Sequence, residues 1–171
     1  LLFSTQFAFT QSLLTRAERS GYQETSLYSD VMSFIETLDE RSDKIRLEPL
    51  CTSTEGRDIP LMILADPMPE NAGQLKTDPR MVVYIQANIH AGEVEGKEAV
   101  QMLARDIIAG DLDAYLDDLI LLVTPVFNAD GNEKLGNNRR DNGPELAGVR
   151  HNGLMLDLNR DGIKLESPEV R

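Results

Sequence analysis

The chain has 171 residues, enough for one domain with a buried core, and its 41% hydrophobic and 27% charged composition is that of an ordinary globular protein. A formal charge of −12 argues against nucleic acid and against anionic membrane surfaces as partners. The longest apolar run, Leu119 to Phe127, is too short to cross a bilayer, and the single Cys51 permits no internal disulfide.

Residues 1–20 read as a leader or N-terminal extension, with residues 21–171 as part of a single catalytic domain. The opening Leu1-Leu2-Phe3, followed by Phe7-Ala8-Phe9, fits the tail of a cleaved secretory leader, which favours a secreted or periplasmic location over a cytoplasmic one. It equally fits an adventitious end, since neither a basic region nor a small-residue cleavage pattern is visible. Tyr28, Val31, Met32, Ile35 and Leu38 then recur at helical spacing. Ile45 to Leu50 and Ile59 to Ala65 flank Thr54-Glu55-Gly56-Arg57 and predict two strands around a turn. Asp66 to Pro79 reads as a surface loop.

Met81 to Ile85 has the composition of a buried strand, Ala99 to Ile108 forms a helical apolar stripe that stops at Gly110, and Leu119 to Val123 is a second buried strand. Strand, helix and strand at this length imply a right-handed parallel crossover, so the fold class is α/β, with an antiparallel hairpin ahead of the parallel part. Ligands in such sheets bind beyond the carboxyl ends of the strands. Asn88 to Glu93 and Phe127 to Gly131 lie there. Near the end, Ser167-Pro168-Glu169 stands in helix-starting order, and a chain that stops at Arg171 reads as an incomplete domain.

Two constellations carry chemistry. His90 and Glu93, three apart where a strand gives way to a helix, can face one point, and zinc accepts both imidazole nitrogen and carboxylate oxygen. By itself the pair is also explained by Glu93 favouring the positive end of a helix. Further on, Gly148-Val149-Arg150-His151-Asn152 leads to Asp157-Leu158-Asn159-Arg160. With Asn128-Ala129-Asp130-Gly131 between them, these motifs resemble the zinc metallocarboxypeptidases, in the broad sense that includes the carboxypeptidase A and carboxypeptidase D branches. Their pattern is His-x-x-Glu after a strand, Asn-Pro-Asp-Gly, then an arginine ahead of Asp-x-Asn-Arg; here Arg150 stands nine positions before Asn159.

The resemblance implies a mixed sheet with helices on both faces, truncated on its C-terminal side, and a Zn2+ cofactor. It makes His90 and Glu93 the metal ligands, Arg150 the catalytic group that stabilises an oxyanion, and Asn159 and Arg160 the binders of a peptide substrate's free C-terminal carboxylate. Asp157 becomes the partner of the second ring nitrogen of His90. The third zinc ligand, the general base and a tyrosine that closes over substrate are expected outside this chain, which leaves the 171 residues alone without activity. The implied reaction is hydrolysis of C-terminal peptide bonds. The alternatives are a related zinc deacylase of the aspartoacylase or succinylglutamate desuccinylase kind, or a non-catalytic fragment.

Several positions depart from the pattern or read as bland. Ala129 replaces the usual proline, Gly92 stands where some digestive members carry an arginine, and Asp161 puts a negative charge after Asn159-Arg160 where many carry Asn. Asn128, Asp130 and Gly131 read as an architectural turn, Arg139 and Arg140 as solvated loop residues, and Cys51 as a small buried hydrophobe. His151, next to Arg150, is expected to point away from the metal.

Overall fold

The computed structural model describes residues 13–138, 140 and 143–171. Of the expected extension, residues 1–12, which include the leader reading, lie outside the described residues. Residues 13–20 pack against the domain. Thr15 caps a short helix α1 (Arg16–Arg19) in a reciprocal capping box with Glu18, Ala17 is buried, and Glu18 also receives the Arg105 guanidinium at 2.8 Å.

Helix α2 (Tyr28–Asp39) buries Val31, Ile35 and Leu38 of the predicted stripe together with Phe34, while Tyr28 and Met32 are partly buried. Strands β1 (Ile45–Thr52) and β2 (Asp58–Leu64) form the expected hairpin, closed by a Ser53–Arg57 turn that passes through Gly56 at φ +85°. The Asp66 to Pro79 connection contains one 3-10 turn, Gln74–Lys76. Strand β3 (Met81–Gln86), helix α3 (Val94–Ala109) and strand β4 (Leu119–Thr124) follow. The two strands pair in parallel, Met81 opposite Leu119 through Gln86 opposite Thr124, as the crossover argument requires. α3 starts at Val94, earlier than its stripe suggested, and ends where Gly110 adopts φ +92°.

The sheet order β1-β2-β4-β3 is mixed, because β2 runs antiparallel to both its neighbours. One face packs on α2 and α3 around Ile35, Leu38, Met62, Leu64, Ile107 and Val123. The opposite face buries Ile63, Ala65 and Ile120 under Met68 and Leu75 of the 66–79 connection.

One expectation is corrected. β3 is not buried on both faces: it is the sheet edge among the described residues, and Met81 and Tyr84 are 66% and 48% exposed. An apolar composition reports what a strand can bury, not what covers it. At Ser167-Pro168-Glu169 the chain makes a turn in which the Val170 N–H donates to the Ser167 carbonyl at 3.3 Å. The last short elements are α4 (Ala129–Asn132), the two-residue strands β5 (Gly136–Asn137) and β6 (Leu146–Ala147), and a 3-10 turn at Leu158–Arg160.

Candidate metal centre

Both segments expected beyond the strand ends meet there. Asn88 sits in the left-handed region at φ +61°, and its side-chain amide donates towards the carbonyls of Ala91 and Glu93, each at 3.3 Å, curling the chain from 88 to 93 into one loop. The loop after β4 is tied to it: the Asn128 N–H donates to the Asn88 carbonyl at 3.1 Å. The third segment of the site, Gly148 to Arg150, fits only because its neighbours are small. A Cβ on Gly148 would stand 2.7 Å from both the Ala91 Cβ and the Gly131 carbonyl oxygen. Gly92 lies as close to this segment, since a side chain there would meet the Gly148 carbonyl oxygen at 3.0 Å. A side chain at position 92 would therefore need the Gly148 carbonyl to give by a few tenths of an ångström.

His90 is buried and lies at the centre of this junction. Its Nε2 is 2.9 Å from Asp157 Oδ1 and its Nδ1 is 3.2 Å from Glu93 Oε1. Arg150 spans the same pair, with Nε donating to Asp157 Oδ2 at 2.9 Å and Nη1 lying 3.3 Å from His90 Nδ1. Beside the Arg150 guanidinium, which can only donate, Nδ1 serves as an acceptor in the tautomer whose ring proton sits on Nε2, aimed at Asp157; in the other tautomer the Nδ1–H donates to Glu93. The Nε2–H tautomer sets two acceptors, Nδ1 of His90 and Oε1 of Glu93, side by side with no proton between them, each facing an arginine guanidinium. One imidazole nitrogen beside one carboxylate oxygen is a donor pair that a metal cation can take in place of the guanidinium groups.

Asp157 holds the tautomer. Partial burial of its carboxyl opposes ionisation, but the bonds from His90, Arg150 and the Asn159 backbone N–H prevail and bring its pKa down to about 2. It is an anion at any pH near neutrality.

Asn159 and Arg160 are both exposed on the 3-10 turn that Asp157 caps, and the Arg160 guanidinium bonds only to the Asn159 carbonyl at 2.8 Å among the described residues. They neighbour the His90 cluster through Asp157 without touching it. His151 is not among the residues that bond His90 or Glu93. Asp161 does not face the site: its buried carboxylate accepts the N–H groups of Glu166 and Ser167 and the Ser167 hydroxyl, so it anchors the following loop.

Two residues that read as bland prove closer to the site. Asn128 is fully buried; its Oδ1 accepts the Gly131 N–H at 2.9 Å and its amide donates to the Arg150 carbonyl at 3.1 Å, so the turn motif braces the arginine segment directly. Arg140 is half exposed, as a loop arginine should be, yet its Nη2 lies 2.8 Å from Glu93 Oε1. Sequence spacing carries no signal for that contact. Arg139 lies outside the described residues. Among the described residues no group of three His, Cys, Asp or Glu side chains is placed to hold a metal.

The zinc carboxypeptidase family profile matches residues 31–161, which takes in both strand-end loops and the Asp157 to Arg160 motif. The chain belongs to the zinc carboxypeptidase family. Solved structures agree in fold. A metallo-carboxypeptidase from Burkholderia cenocepacia superposes with a TM-score of 0.64 at 24% identity over 87% of this chain and 37% of its own. A metallo-carboxypeptidase from Pseudomonas aeruginosa, solved in complex with (2-guanidinoethylmercapto)succinic acid, gives 0.58 at 23% identity, over 87% of this chain and 36% of its own. A Burkholderia mallei protein gives 0.65 at 21% identity, over 87% and 35%. The chain thus spans little more than a third of these structures' length. A sequence comparison with curated proteins returns no match. For a zinc carboxypeptidase family member, the donor set of His90 and Glu93, one nitrogen and one carboxylate oxygen, fits zinc chemically.

Proposed function

We propose that this chain carries part of the active site of a zinc-dependent metallocarboxypeptidase, which hydrolyses the C-terminal bond of peptides that end in a free carboxylate. The observation that supports this most is the pair of facing atoms, His90 Nδ1 and Glu93 Oε1, 3.2 Å apart, both acceptors in the tautomer whose ring proton faces Asp157. When bound there, zinc supplies Lewis acidity towards water and a carbonyl. The remaining ligand and the general base come, on this reading, from outside these 171 residues.

The chain's own residues divide the remaining work. Asp157 fixes the His90 ring and keeps Nδ1 free. Arg150 is a fixed cation at the edge of the cluster, held by Asp157 and by the Asn128 brace behind it, and stabilises an oxyanion as the scissile carbonyl becomes tetrahedral. The exposed Arg160, with Asn159, takes the substrate's terminal carboxylate, for which a planar guanidinium gives paired hydrogen bonds. An internal peptide bond offers no such group, which confines cleavage to the chain end. The succinic acid ligand of the Pseudomonas structure presents carboxylates of the same kind.

Steady-state kinetics of the zinc-loaded full-length enzyme, which carries the remaining ligand and base, on a peptide and on its C-terminal amide test this. Arg160→Ala should mainly raise KM, because the carboxylate is present before and during reaction. Arg150→Ala should mainly lower kcat, by about 10²–10³-fold, the usual effect of losing one oxyanion donor. Equal cleavage of the acid and the amide by the unaltered protein would contradict the carboxylate role of Asn159 and Arg160.

A further inference from the structure

The cluster holds two arginines, and they are not equivalent. Arg150 is anchored twice, to Asp157 Oδ2 and beside His90 Nδ1. The Arg140 guanidinium bonds Glu93 alone among the described residues, through the same Oε1 atom that faces the His90 ring. Each atom offered to a metal is therefore already engaged by a guanidinium. The charges of Glu93, Asp157, Arg140 and Arg150 cancel as the cluster stands. A divalent cation added while Arg140 stayed in place would meet two fixed positive charges and compete with one of them for a carboxylate oxygen.

Resting on the metal reading above, we propose that Arg140 is a latch on Glu93: it holds the carboxylate in place while no metal is bound, and it must swing away for the metal to take that oxygen. Among the described residues its guanidinium is held by Glu93 alone and is half exposed, so it can leave into water; Arg150 is as exposed, but it keeps its bond to Asp157 when Nη1 gives up His90 Nδ1. Arg140 is then a positioning residue that sets metal affinity, and the latch lowers that affinity by the strength of the pair it breaks.

The test is zinc affinity of the full chain, read by competition with a chromophoric chelator, for the unaltered protein and for Arg140→Gln, Arg140→Lys and Glu93→Ala. Arg140→Gln should bind zinc about 2–5-fold more tightly, the range expected for releasing one exposed ion pair. Arg140→Lys, which keeps the charge, should stay nearer the unaltered protein. Raising the salt concentration should narrow the gap between the unaltered protein and Arg140→Gln, because screening weakens the latch. If Glu93→Ala weakens zinc binding but Arg140→Gln leaves it unchanged or weaker, the latch is overturned and the metal site stands. If Glu93→Ala has no effect, the metal site and the latch fall together.

Discussion

At the scale of single residues, the site is governed by which atoms can donate. Arg150 can only donate, so its approach to His90 Nδ1 favours the tautomer with the ring proton on Nε2 and makes Asp157 the residue on which that tautomer depends. Asp157→Ala removes the acceptor of that proton and one of the two anchors of Arg150. The expected outcome is a loss of zinc affinity of about 10–100-fold, the usual effect of removing a histidine's outer partner. Chelator competition would measure it, with circular dichroism to check the fold. Unchanged affinity would mean that His90 does not need this partner. Asp157 was legible in the sequence because it belongs to a motif, and so were His90 and Glu93. The Arg140 contact was not, since nothing in a Gly/Asn-rich stretch says where a loop arginine will rest. Asn128 was half legible: the turn chemistry was evident, but the long-range bond to the Arg150 carbonyl depends on how two loops meet.

At the scale of elements, α3 has a second face that its apolar stripe conceals. Lys97 and Gln101 are fully buried and Glu98 nearly so, on the side opposite the solvent. The Glu98 carboxylate accepts the Thr25 and Ser26 hydroxyls and the Ser26 N–H, which pins the start of α2 to α3. Lys97 Nζ reaches the Ser26 carbonyl and Asn132 Oδ1, tying the same point to α4 and so to the Asn128 motif. Burial lowers the Lys97 pKa from 10.5 to about 8, against the raising influence of Glu98, Glu133 and Asp30. The sign follows from proton counting. Between pH 8 and 10.5 the unfolded chain holds the Lys97 proton more tightly than the folded chain, so raising the pH through this window stabilises the fold. Compared with Lys97→Met, the unaltered protein should gain stability over that window at about 1 kcal/mol per pH unit, an order-of-magnitude slope. Denaturant unfolding of both proteins at pH 7 and pH 9.5 would show it; a constant difference would mean that Lys97 titrates normally. The buried lysine escaped the sequence reading because a periodicity search counts apolar residues and passes over a polar side chain that finds partners inside.

At the scale of the whole molecule, the order of elements was recoverable from apolar runs and turn residues: the hairpin, the parallel β3–α3–β4 unit and the helix ahead of them all appear where their patterns lie. What the runs could not give was position within the sheet. β3 has the composition of an interior strand yet forms an edge among the described residues, with its own Val82 and Tyr84 exposed. The same topology brings three loops to one end of the sheet, and tight glycine packing at Gly92 and Gly148 presses them together so that His90 and Glu93 face each other. Everything proposed for function depends on that pair receiving a metal through His90 Nδ1. The chain has only two histidines, His90 and His151, so long-range nitrogen–proton NMR of the imidazoles during a zinc titration reads the question directly. Without metal, His90 should show a protonated Nε2 and an unprotonated Nδ1; on adding zinc, its Nδ1 resonance should shift while His151 stays unchanged. A metal-free His90 protonated on Nδ1, or a zinc response confined to His151, would contradict the account.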